Sequence, residues 1–298
     1  MARWIIVDTD LDTDCDDVGA LALAHRHAAA AGFRLAGIVV NAPVPAAGRY
    51  AQLLAAHWGL PTLPVGLVDA AAIADGMAPY AAHRADCAPR LYNERLCGKY
   101  AALLAHRPPP EEGVALYRRL LSEAEDGSVV ICAIGFLTVL AQLLDSPGGA
   151  DLVRRKVRLL VSMGGGNWPE GWDGFNWRMA PKAAARVLND WPVDLAISPE
   201  GENVLTIRSW QEGPPDPARE AYRIFFPDRS LRPSWDLLCV LYGLGDRSLF
   251  RGRTGCRFRY NPETGQSIWT PDPASRARLV ELAVPPDQAA ARLEEILS

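Results

Sequence analysis

The chain has 298 residues, of which 49% are hydrophobic, and this composition excludes an intrinsically disordered protein. Its 31 Lys and Arg residues are outnumbered by 35 Asp and Glu residues, so a basic surface for nucleic acid or for an anionic membrane is not expected. The first apolar run ends at Asp8, too early for a signal peptide or a membrane span, and this predicts a cytoplasmic protein.

Short apolar segments alternate with Ala- and Leu-rich helical segments in the first two thirds of the chain. The predicted strands cover residues 4–7, 33–40, 62–67, 128–134 and 157–163. The predicted helices cover residues 18–31, 50–57, 111–125, 137–144 and 181–191. This alternation is typical of the α/β class, in which a mostly parallel open sheet is flanked by helices.

Two regions interrupt this pattern. Residues 82–99 are polar and irregular, which predicts a mobile loop containing His83 and Asp86. After residue 198 the chain is rich in proline, and we predict a helix over 235–244, a hairpin over 257–269 and a terminal helix over 287–297. Because no low-complexity linker or repeat separates these parts, residues 1–298 are predicted to form a single domain with a C-terminal helical and hairpin elaboration.

The six cysteines include no CxxC pair, so we expect reduced thiols and neither a disulfide framework nor a zinc site. All five histidines lie within the first 106 residues. Chemistry carried by the later two thirds of the chain therefore cannot use an imidazole from that part.

Aspartate makes up six of the ten residues between positions 8 and 17. Acidic runs usually form solvated faces, but this one lies between a predicted strand and a predicted helix, where open α/β sheets bind ligands. Carboxylates confined there raise one another's pKa unless a cation compensates them. Oxygen ligands without nearby His or Cys favour Ca²⁺ or Mg²⁺.

Two other acidic motifs fit poorly. An EF-hand loop starting at Asp8 requires Gly and Glu where this chain has Thr13 and Gly19. A haloacid-dehalogenase phosphatase has Thr or Val four residues after its nucleophilic Asp, where this chain has Asp12 or Asp14.

The apolar strand followed by DTDLDTDCDDVGAL resembles the signature of the nucleoside hydrolases, the inosine/uridine-preferring N-ribohydrolases. Five further segments follow in the family's order, namely Val-Val-Asn at 39–41, Ala-Ile-Gly-Phe-Leu-Thr at 133–138, Ser-Met-Gly-Gly-Gly at 162–166, Phe-Asn at 175–176 and Ser-Trp-Asp at 234–236. The resemblance extends over nearly the whole chain and implies the same Rossmann-like fold.

The resemblance implies one Ca²⁺ at the bottom of a pocket. Its ligands would be Asp10, Asp17, the carbonyl oxygen of Ile134 and Asp236. Such a metal lowers the pKa of a water molecule, and Asp10 would take the proton of that water as the general base. The water oxygen would then attack C1′ of the ribose as the N-glycosidic bond breaks.

The resemblance also implies the substrate contacts, which are Asp16, Asn41, Met163, Asp173, Asn176 and Trp235. Asp16 and Asn41 match positions that bind the 2′ and 3′ hydroxyls, so deoxynucleosides should be poor substrates. Considered alone, Asn41 could equally be a turn residue, and Asp236 could be a helix N-cap.

The sequence departs from the family at two positions. The acidic residue that holds the 5′ hydroxyl is replaced by Gly174, with Asp173 as a possible substitute. The His that protonates a departing purine in some members is replaced by Trp235. Three other tryptophans, at 168, 172 and 177, either stack on the base or are packing residues.

These features together predict an enzyme that hydrolyses the N-glycosidic bond of a ribonucleoside or ribosyl relative and requires Ca²⁺. The resemblance also implies a homodimer or homotetramer. A nucleoside-binding protein of the same fold with impaired catalysis is the first alternative. A Mg²⁺-dependent phosphohydrolase ranks last, because an obvious phosphate-binding Lys is missing.

Overall fold

A computed structural model describes residues 3–73, 77–165, 168–207, 210, 212–228 and 231–298. The strands are β1 (Arg3–Thr9), β2 (Phe33–Val40), β3 (Val65–Leu67), β4 (Glu111–Glu112), β5 (Val129–Ala133), β6 (Val157–Met163), β7 (Glu170–Trp172), β8 (Asp194–Ser198), β9 (Leu205–Thr206), β10 (Arg232–Pro233), β11 (Phe250–Arg253), β12 (Cys256–Tyr260), β13 (Gln266–Pro271) and β14 (Ala277–Leu282). The α-helices are α1 (Asp16–His27), α2 (Pro45–His57), α3 (Ala70–Ile73), α4 (Ala78–Asp86), α5 (Asn93–Lys99), α6 (Gly113–Glu123), α7 (Thr138–Asp145), α8 (Gly149–Lys156), α9 (Phe175–Met179), α10 (Pro181–Asp190), α11 (Pro217–Phe225), α12 (Trp235–Gly243) and α13 (Pro286–Leu297).

The main sheet has nine strands in the order β11-β14-β8-β6-β5-β1-β2-β3-β4. All neighbouring pairs are parallel except β11 with β14, which confirms the predicted mostly parallel sheet. From β1 the chain first builds outward through β2 to β4, and it then returns to the other side of β1 with β5. The strand order therefore reverses between β1 and β5, and the crevice at such a reversal is where open α/β sheets bind ligands.

Both faces of the central strands are covered. Ile5 and Val7 of β1 pack into one core with α1, α2 and α12, whereas Ile6 packs into a second core with α6, α7 and α10. Successive side chains of a strand point to opposite faces, so the continuous apolar run of β1 fills both cores.

The predicted loop over 82–99 is wrong, because α4 and α5 cover most of this region. Their apolar side chains pack on one side only, with Tyr80, Tyr92 and Leu96 buried and most of the remainder open to solvent. Short amphipathic helices of this kind carry too few apolar residues for their 3.6-residue period to stand out in the sequence.

The region after residue 198 is more regular than its prolines suggested. Pro217 begins α11 rather than preventing it, since a helix tolerates proline in its first turn. Asp216 caps this helix by accepting hydrogen bonds from the backbone nitrogens of Ala218 (2.9 Å) and Arg219 (2.8 Å).

The predicted hairpin is confirmed as the antiparallel pair β12 and β13, with β7 on its outer edge. The last strand, β14, joins the main sheet beside β8, which the sequence did not indicate. In the described part of the chain, none of the helices is both long and apolar enough to cross a membrane.

Candidate active site

A cavity of about 480 Å³ lies at the carboxyl ends of the central strands. Its acidic wall consists of Asp10, Asp14, Asp16, Asp17 and Asp236. Its apolar wall consists of Ile134, Met163, Phe175, Phe225, Phe226 and Trp235. The cavity thus combines a charged floor with aromatic surfaces at the point where the strand order reverses.

Two of the motif's six aspartates are held away from this cavity. Asp8 accepts hydrogen bonds from the hydroxyl of Tyr117 (2.7 Å) and from the side-chain amide of Asn41. Burial raises the pKa of Asp8 to about 7 despite these two donors. This carboxyl group therefore ties β1 to α6.

Asp12 is the second aspartate that faces elsewhere. Its carboxylate accepts hydrogen bonds from Tyr80 (2.5 Å), Arg84 (2.8 Å) and Asn93 (2.9 Å). The preceding residue, Leu11, has a φ of 45°, which is uncommon for a residue other than glycine and turns the chain sharply between Asp10 and Asp12. The region 82–99 thus binds the acidic motif through Arg84 and Asn93 and is not a mobile loop.

Asp10 and Asp17 face the cavity and are buried. Burial raises the pKa of Asp10 well above its ordinary value, and the neighbouring charge of Asp17 raises it further. Burial and the charge of Asp16 raise the pKa of Asp17 to about 7, although the hydroxyl of Thr9 donates a hydrogen bond to it. These carboxyl groups therefore hold protons more readily than free aspartates, and a bound cation would favour their ionised forms.

Asp16, Asp17 and Asp236 form a compact trio of buried carboxyl groups. One oxygen from each lies within 4.8 Å of the oxygens of the other two. Asp16 and Asp17 begin α1, whereas Asp236 lies in the first turn of α12, and the two helices pack against each other. Burial and the charges of Asp16 and Asp17 raise the pKa of Asp236 well above its ordinary value.

One arginine reaches the acidic wall. Nη2 of Arg232 donates hydrogen bonds to Asp14 and to Asp16 (3.2 Å), and its guanidinium lies 5.1 Å from the ring centre of Trp235. Burial lowers the pKa of Arg232, but the charges of Asp16 and Asp14 outweigh this and raise it overall. Within the described part of the chain, Asp10, Asp17 and Asp236 have no ion-pair partner.

The structure brings the four predicted metal ligands to one cavity. Ile134 follows β5, lines the cavity, and its carbonyl oxygen accepts a hydrogen bond from the side-chain amide of Asn176 (2.9 Å). Asp16, which was predicted to bind ribose, stands in the compact trio with Asp17 and Asp236, whereas Asp10 lies beside it. The sequence reasoning therefore missed Asp16 as a candidate ligand.

Among the predicted substrate contacts, Asp16, Met163, Asn176 and Trp235 line the cavity. Asn41 does not. Its side-chain amide donates to Asp8 and its side-chain oxygen accepts from the backbone nitrogen of Phe136 (2.9 Å). Asn41 thus joins the ends of β1, β2 and β5 behind the floor of the cavity.

Asp173 also lies outside the cavity lining. Its carboxylate accepts a hydrogen bond from the hydroxyl of Tyr260 (3.1 Å), on the small antiparallel sheet. Gly174 does line the cavity, and a Cβ atom there would meet no described heavy atom closer than 3.5 Å. The residue that replaces the family's acidic group therefore leaves open space at this wall. The last residue of the glycine motif, Gly166, lies outside the described residues.

Trp168, Trp172 and Trp177 do not line the cavity. Trp177 is fully buried in the core against Phe258 and Tyr260, and Trp172 is 64% exposed on an edge strand. Trp168 packs on Trp269 beside a neighbouring cavity. The aromatic lining comes from Phe175, Phe225, Phe226 and Trp235 instead.

Sequence reasoning missed Cys87, Phe225 and Phe226, which line the cavity at the ends of helices α4 and α11. His83 and Cys87 line the cavity, with 3.4 Å between the imidazole Nε2 and the thiol Sγ. The His83 ring packs on Phe175, and burial lowers the pKa of this imidazole. Phe225 and Phe226 could not be predicted as cavity residues, because the Pro-rich sequence around them did not indicate the helix α11 at whose end they lie.

Gly135 is predicted to be essential for the shape of the floor. A Cβ atom at this position would lie 2.3 Å from the backbone nitrogen of Asp10 and 2.7 Å from the side-chain oxygen of Asn41. We expect Gly135→Ala to destabilise the protein by about 1 to 3 kcal/mol, the usual cost of an overpacked site. Thermal unfolding would measure this change.

Gly98→Ala is the matched control, since a Cβ atom there has no described heavy atom within 4 Å. Because Gly98 lies in α5, the change to alanine should leave stability equal or slightly higher. Equal melting temperatures for wild type and Gly135→Ala would contradict the tight packing of this floor.

The family model of the inosine-uridine preferring nucleoside hydrolases matches residues 5–268. The chain belongs to this family. The match includes the acidic motif, Ile134 and Asp236, so the residues that line the cavity lie within the matched range. A search of curated proteins found no significant match.

Similar solved structures agree with this membership at the level of the fold. A plant nucleoside hydrolase has a TM-score of 0.72 and 19% identity, with 100% of this chain and 99% of that chain covered. An inosine-uridine preferring nucleoside hydrolase from Bacillus anthracis has a TM-score of 0.67 and 18% identity, with 99% of each chain covered. A purine-preferring ribonucleoside hydrolase from Gardnerella vaginalis has a TM-score of 0.68 and 15% identity, covering 99% of this chain and 96% of that chain.

The protein is therefore a hydrolase of N-glycosyl bonds, as predicted, with the Rossmann-like fold of the nucleoside hydrolases. The acidic cavity is suited to holding a metal ion. Neither the pseudoenzyme nor the phosphohydrolase alternative is favoured by the family match.

Proposed function

We propose that this nucleoside hydrolase requires Ca²⁺ and cleaves ribonucleosides, or close ribosyl relatives, to the free base and the free sugar. The observation that carries the proposal is the trio of buried carboxyl groups, Asp16, Asp17 and Asp236, at the floor of a cavity large enough for a small ligand. Its all-oxygen donor set favours a hard cation.

The side chains fit a divalent cation for an electrostatic reason. Burial raises the pKa of each of Asp10, Asp17 and Asp236, and Arg232, the arginine that bonds to this wall, is bound to Asp14 and Asp16. Asp10, Asp16, Asp17 and Asp236, with the carbonyl oxygen of Ile134, would hold the ion. When bound, the ion would make a water molecule more acidic and offer positions for the sugar hydroxyls.

Asp10 is the proposed general base. It lies directly after β1, faces the cavity and has no described cation as a partner, so its carboxylate is available to accept a proton. In the reaction, the water oxygen bonds to C1′ and the water proton passes to Asp10. The C1′–N bond breaks at the same time, and its electron pair stays on the base nitrogen.

Asn176 is proposed to hold the ribose. It is 4% exposed, lines the cavity, and is fixed by the hydrogen bond of its amide to the carbonyl oxygen of Ile134. A sugar lacking a hydroxyl would leave such buried polar groups without a partner, and so 2′-deoxynucleosides should be poor substrates. The contacts of Asn41 and Asp173 with substrate, the cytoplasmic location and the homodimeric or homotetrameric assembly stay predictions.

The leaving group is expected to receive little protonation. Trp235 occupies the position of the family's His, and its indole N–H is a far weaker acid than an imidazolium group. The protein should therefore turn over p-nitrophenyl riboside, whose leaving group departs as a stable anion, faster than inosine. Steady-state kinetics on both substrates would measure this difference.

Trp235→His is the informative substitution for this prediction. A histidine would supply a proton to a departing purine, so inosine turnover should rise while p-nitrophenyl riboside turnover should not. If the wild type cleaved inosine as fast as the activated riboside, an unrecognised acid would be present, and His83 would be the first residue to replace.

The proposed function is tested by incubating the purified protein with Ca²⁺ and either a panel of ribonucleosides or the matching nucleotides, followed by assays for reducing sugar and for phosphate. We expect sugar release from at least one ribonucleoside, with much slower release from the matching 2′-deoxynucleoside. Release of phosphate from nucleotides without sugar release would instead support the phosphohydrolase alternative.

A further inference from the structure

Arg232 is a buried cation that has no assigned role in the proposed reaction. Its side chain is 12% exposed and lines the same cavity as Asp10 and Trp235. It is presented by β10, whose following residues lead directly into α12 and Asp236. A positive charge in this position stabilises negative charge that develops nearby in the cavity.

The guanidinium is fixed in orientation by its neighbours. Nη2 is bound to Asp14 and Asp16, and the guanidinium carbon lies 5.6 Å from the ring centre of Phe226 and 5.1 Å from that of Trp235. A planar guanidinium held by carboxylates and aromatic rings loses little further freedom when it binds a ligand.

One donor of this guanidinium is free. Nε of Arg232 is buried and has no hydrogen-bond partner among the described residues. Arg232 itself lines the cavity, so the rest of its guanidinium can meet a ligand atom there. The ligand atom would be an oxygen or nitrogen with partial or full negative charge.

We propose that Arg232 stabilises the negative charge that develops on the departing base. This inference rests on the proposed function, because it assigns a leaving-group partner within that reaction. It explains how the reaction proceeds with Trp235 where some members of the family have an acid, since the guanidinium lies against that ring.

The chemistry balances without any proton from Arg232. The water oxygen bonds to C1′ and its proton goes to Asp10, while the C1′–N electron pair moves onto the base. The base leaves as an anion hydrogen-bonded to the guanidinium, and it then takes a proton from solvent. Charge stabilisation of this type acts in the transition state and therefore lowers the barrier to bond cleavage.

The test compares Arg232→Gln with wild type on two substrates, uridine and p-nitrophenyl riboside, in the presence of Ca²⁺. Loss of one preorganised donor should lower kcat for uridine by about 10² to 10³. It should leave kcat for p-nitrophenyl riboside nearly unchanged, because that leaving group needs no help. Arg232→Lys keeps the charge but loses the planar guanidinium, so its kcat for uridine should lie between those of the wild type and Arg232→Gln. It provides a second variant if Arg232→Gln does not fold.

Arg84→Gln is the matched control. Arg84 also binds an aspartate of the acidic motif, with 2.8 Å between its Nε and Asp12, but it does not line the cavity. Arg84→Gln should change kcat for uridine and kcat for p-nitrophenyl riboside by the same factor.

Three results distinguish the possibilities. A selective loss on uridine supports the role of Arg232 at the leaving group. An equal loss on both substrates overturns it, since Arg232 would then act only by holding Asp14 and Asp16. A wild-type protein that cleaves neither p-nitrophenyl riboside nor any ribonucleoside of the panel overturns the proposed function itself, and this inference with it.

Discussion

Asp10→Asn should abolish most hydrolysis while leaving the protein folded. The amide has nearly the shape of the carboxylate but cannot accept a proton from water, so kcat should fall by about 10² to 10⁴, the range typical of a lost general base. The amide also relieves the repulsion between Asp10 and Asp17, so the melting temperature in the absence of metal should not decrease. Initial rates of sugar release at saturating ribonucleoside would measure the effect.

The control for this experiment is Asp126→Asn, which changes an exposed aspartate paired with Lys156 at 2.8 Å. It should have the kcat of the wild type. If Asp10→Asn retained near-normal turnover, Asp10 would not be the base, whatever its position in the cavity.

Binding of Ca²⁺ should raise the melting temperature of the protein in addition to enabling catalysis. The trio joins the start of α1 to the start of α12, so an ion bound there holds together parts of the chain 220 residues apart. A ligand present at a hundred times its Kd stabilises the native state by about 2.7 kcal/mol, and we expect Ca²⁺ to raise the melting temperature by a corresponding several degrees. Chelation should reverse this shift.

Asp17→Ala is the decisive variant for the metal, because it removes a carboxylate from the trio without touching Asp10. We expect it to lose the response to Ca²⁺. In the presence of a chelator it should equal or exceed the wild type in melting temperature, since it relieves repulsion among buried carboxyl groups. An identical response to Ca²⁺ in both proteins would place the ion elsewhere.

The metal-free protein should also show a characteristic pH dependence. The pKa of Asp14 and Asp17 is raised from an ordinary value of 3.8 to about 7, chiefly by burial and by the charge of Asp16. The folded state thus binds more protons than the unfolded state between these values, and stability should fall as the pH rises from about 4 to about 7. Ca²⁺ should oppose this loss. Melting curves across this range, with chelator or with Ca²⁺, would test it.

The sequence predicted the central features of the fold for clear physical reasons. Strands such as β1 and β2 are buried on both faces, so they appear as uninterrupted apolar runs, and parallel strands require crossover helices between them. The acidic motif follows such a run and therefore had to lie at the carboxyl edge of the sheet. Asp236 could be linked to it only through the family resemblance, since no local pattern relates residues so far apart.

Features that depend on tertiary contacts could not be predicted. The sequence cannot show that Asp8 and Asp12 turn away from the cavity, because their partners, Tyr117 and Tyr80, lie on distant helices. Arg232 was missed for the same reason. Its significance arises only where it meets Asp14 and Asp16, and the residue itself lies in a short strand with no periodic pattern.

The tryptophans illustrate the opposite error. Trp168, Trp172 and Trp177 lie in the segment between β6 and α10, which does approach the cavity through Gly174 and Phe175. Side chains of neighbouring residues in this segment nevertheless point to different sides, and Trp177 turns into the core to bond Ser162 through its indole nitrogen (3.3 Å). Proximity in sequence was therefore not sufficient to place a side chain in the site.

The most direct test of the central claim is a metal-reconstitution assay on a ribonucleoside that the protein cleaves. The protein is stripped with a chelator, exchanged into metal-free buffer, and assayed for sugar release before and after addition of Ca²⁺, alongside Asp17→Ala. We expect the stripped wild type to be inactive and Ca²⁺ to restore its activity, with no restoration in the variant. Full activity of the stripped wild type would contradict the metal-dependent mechanism.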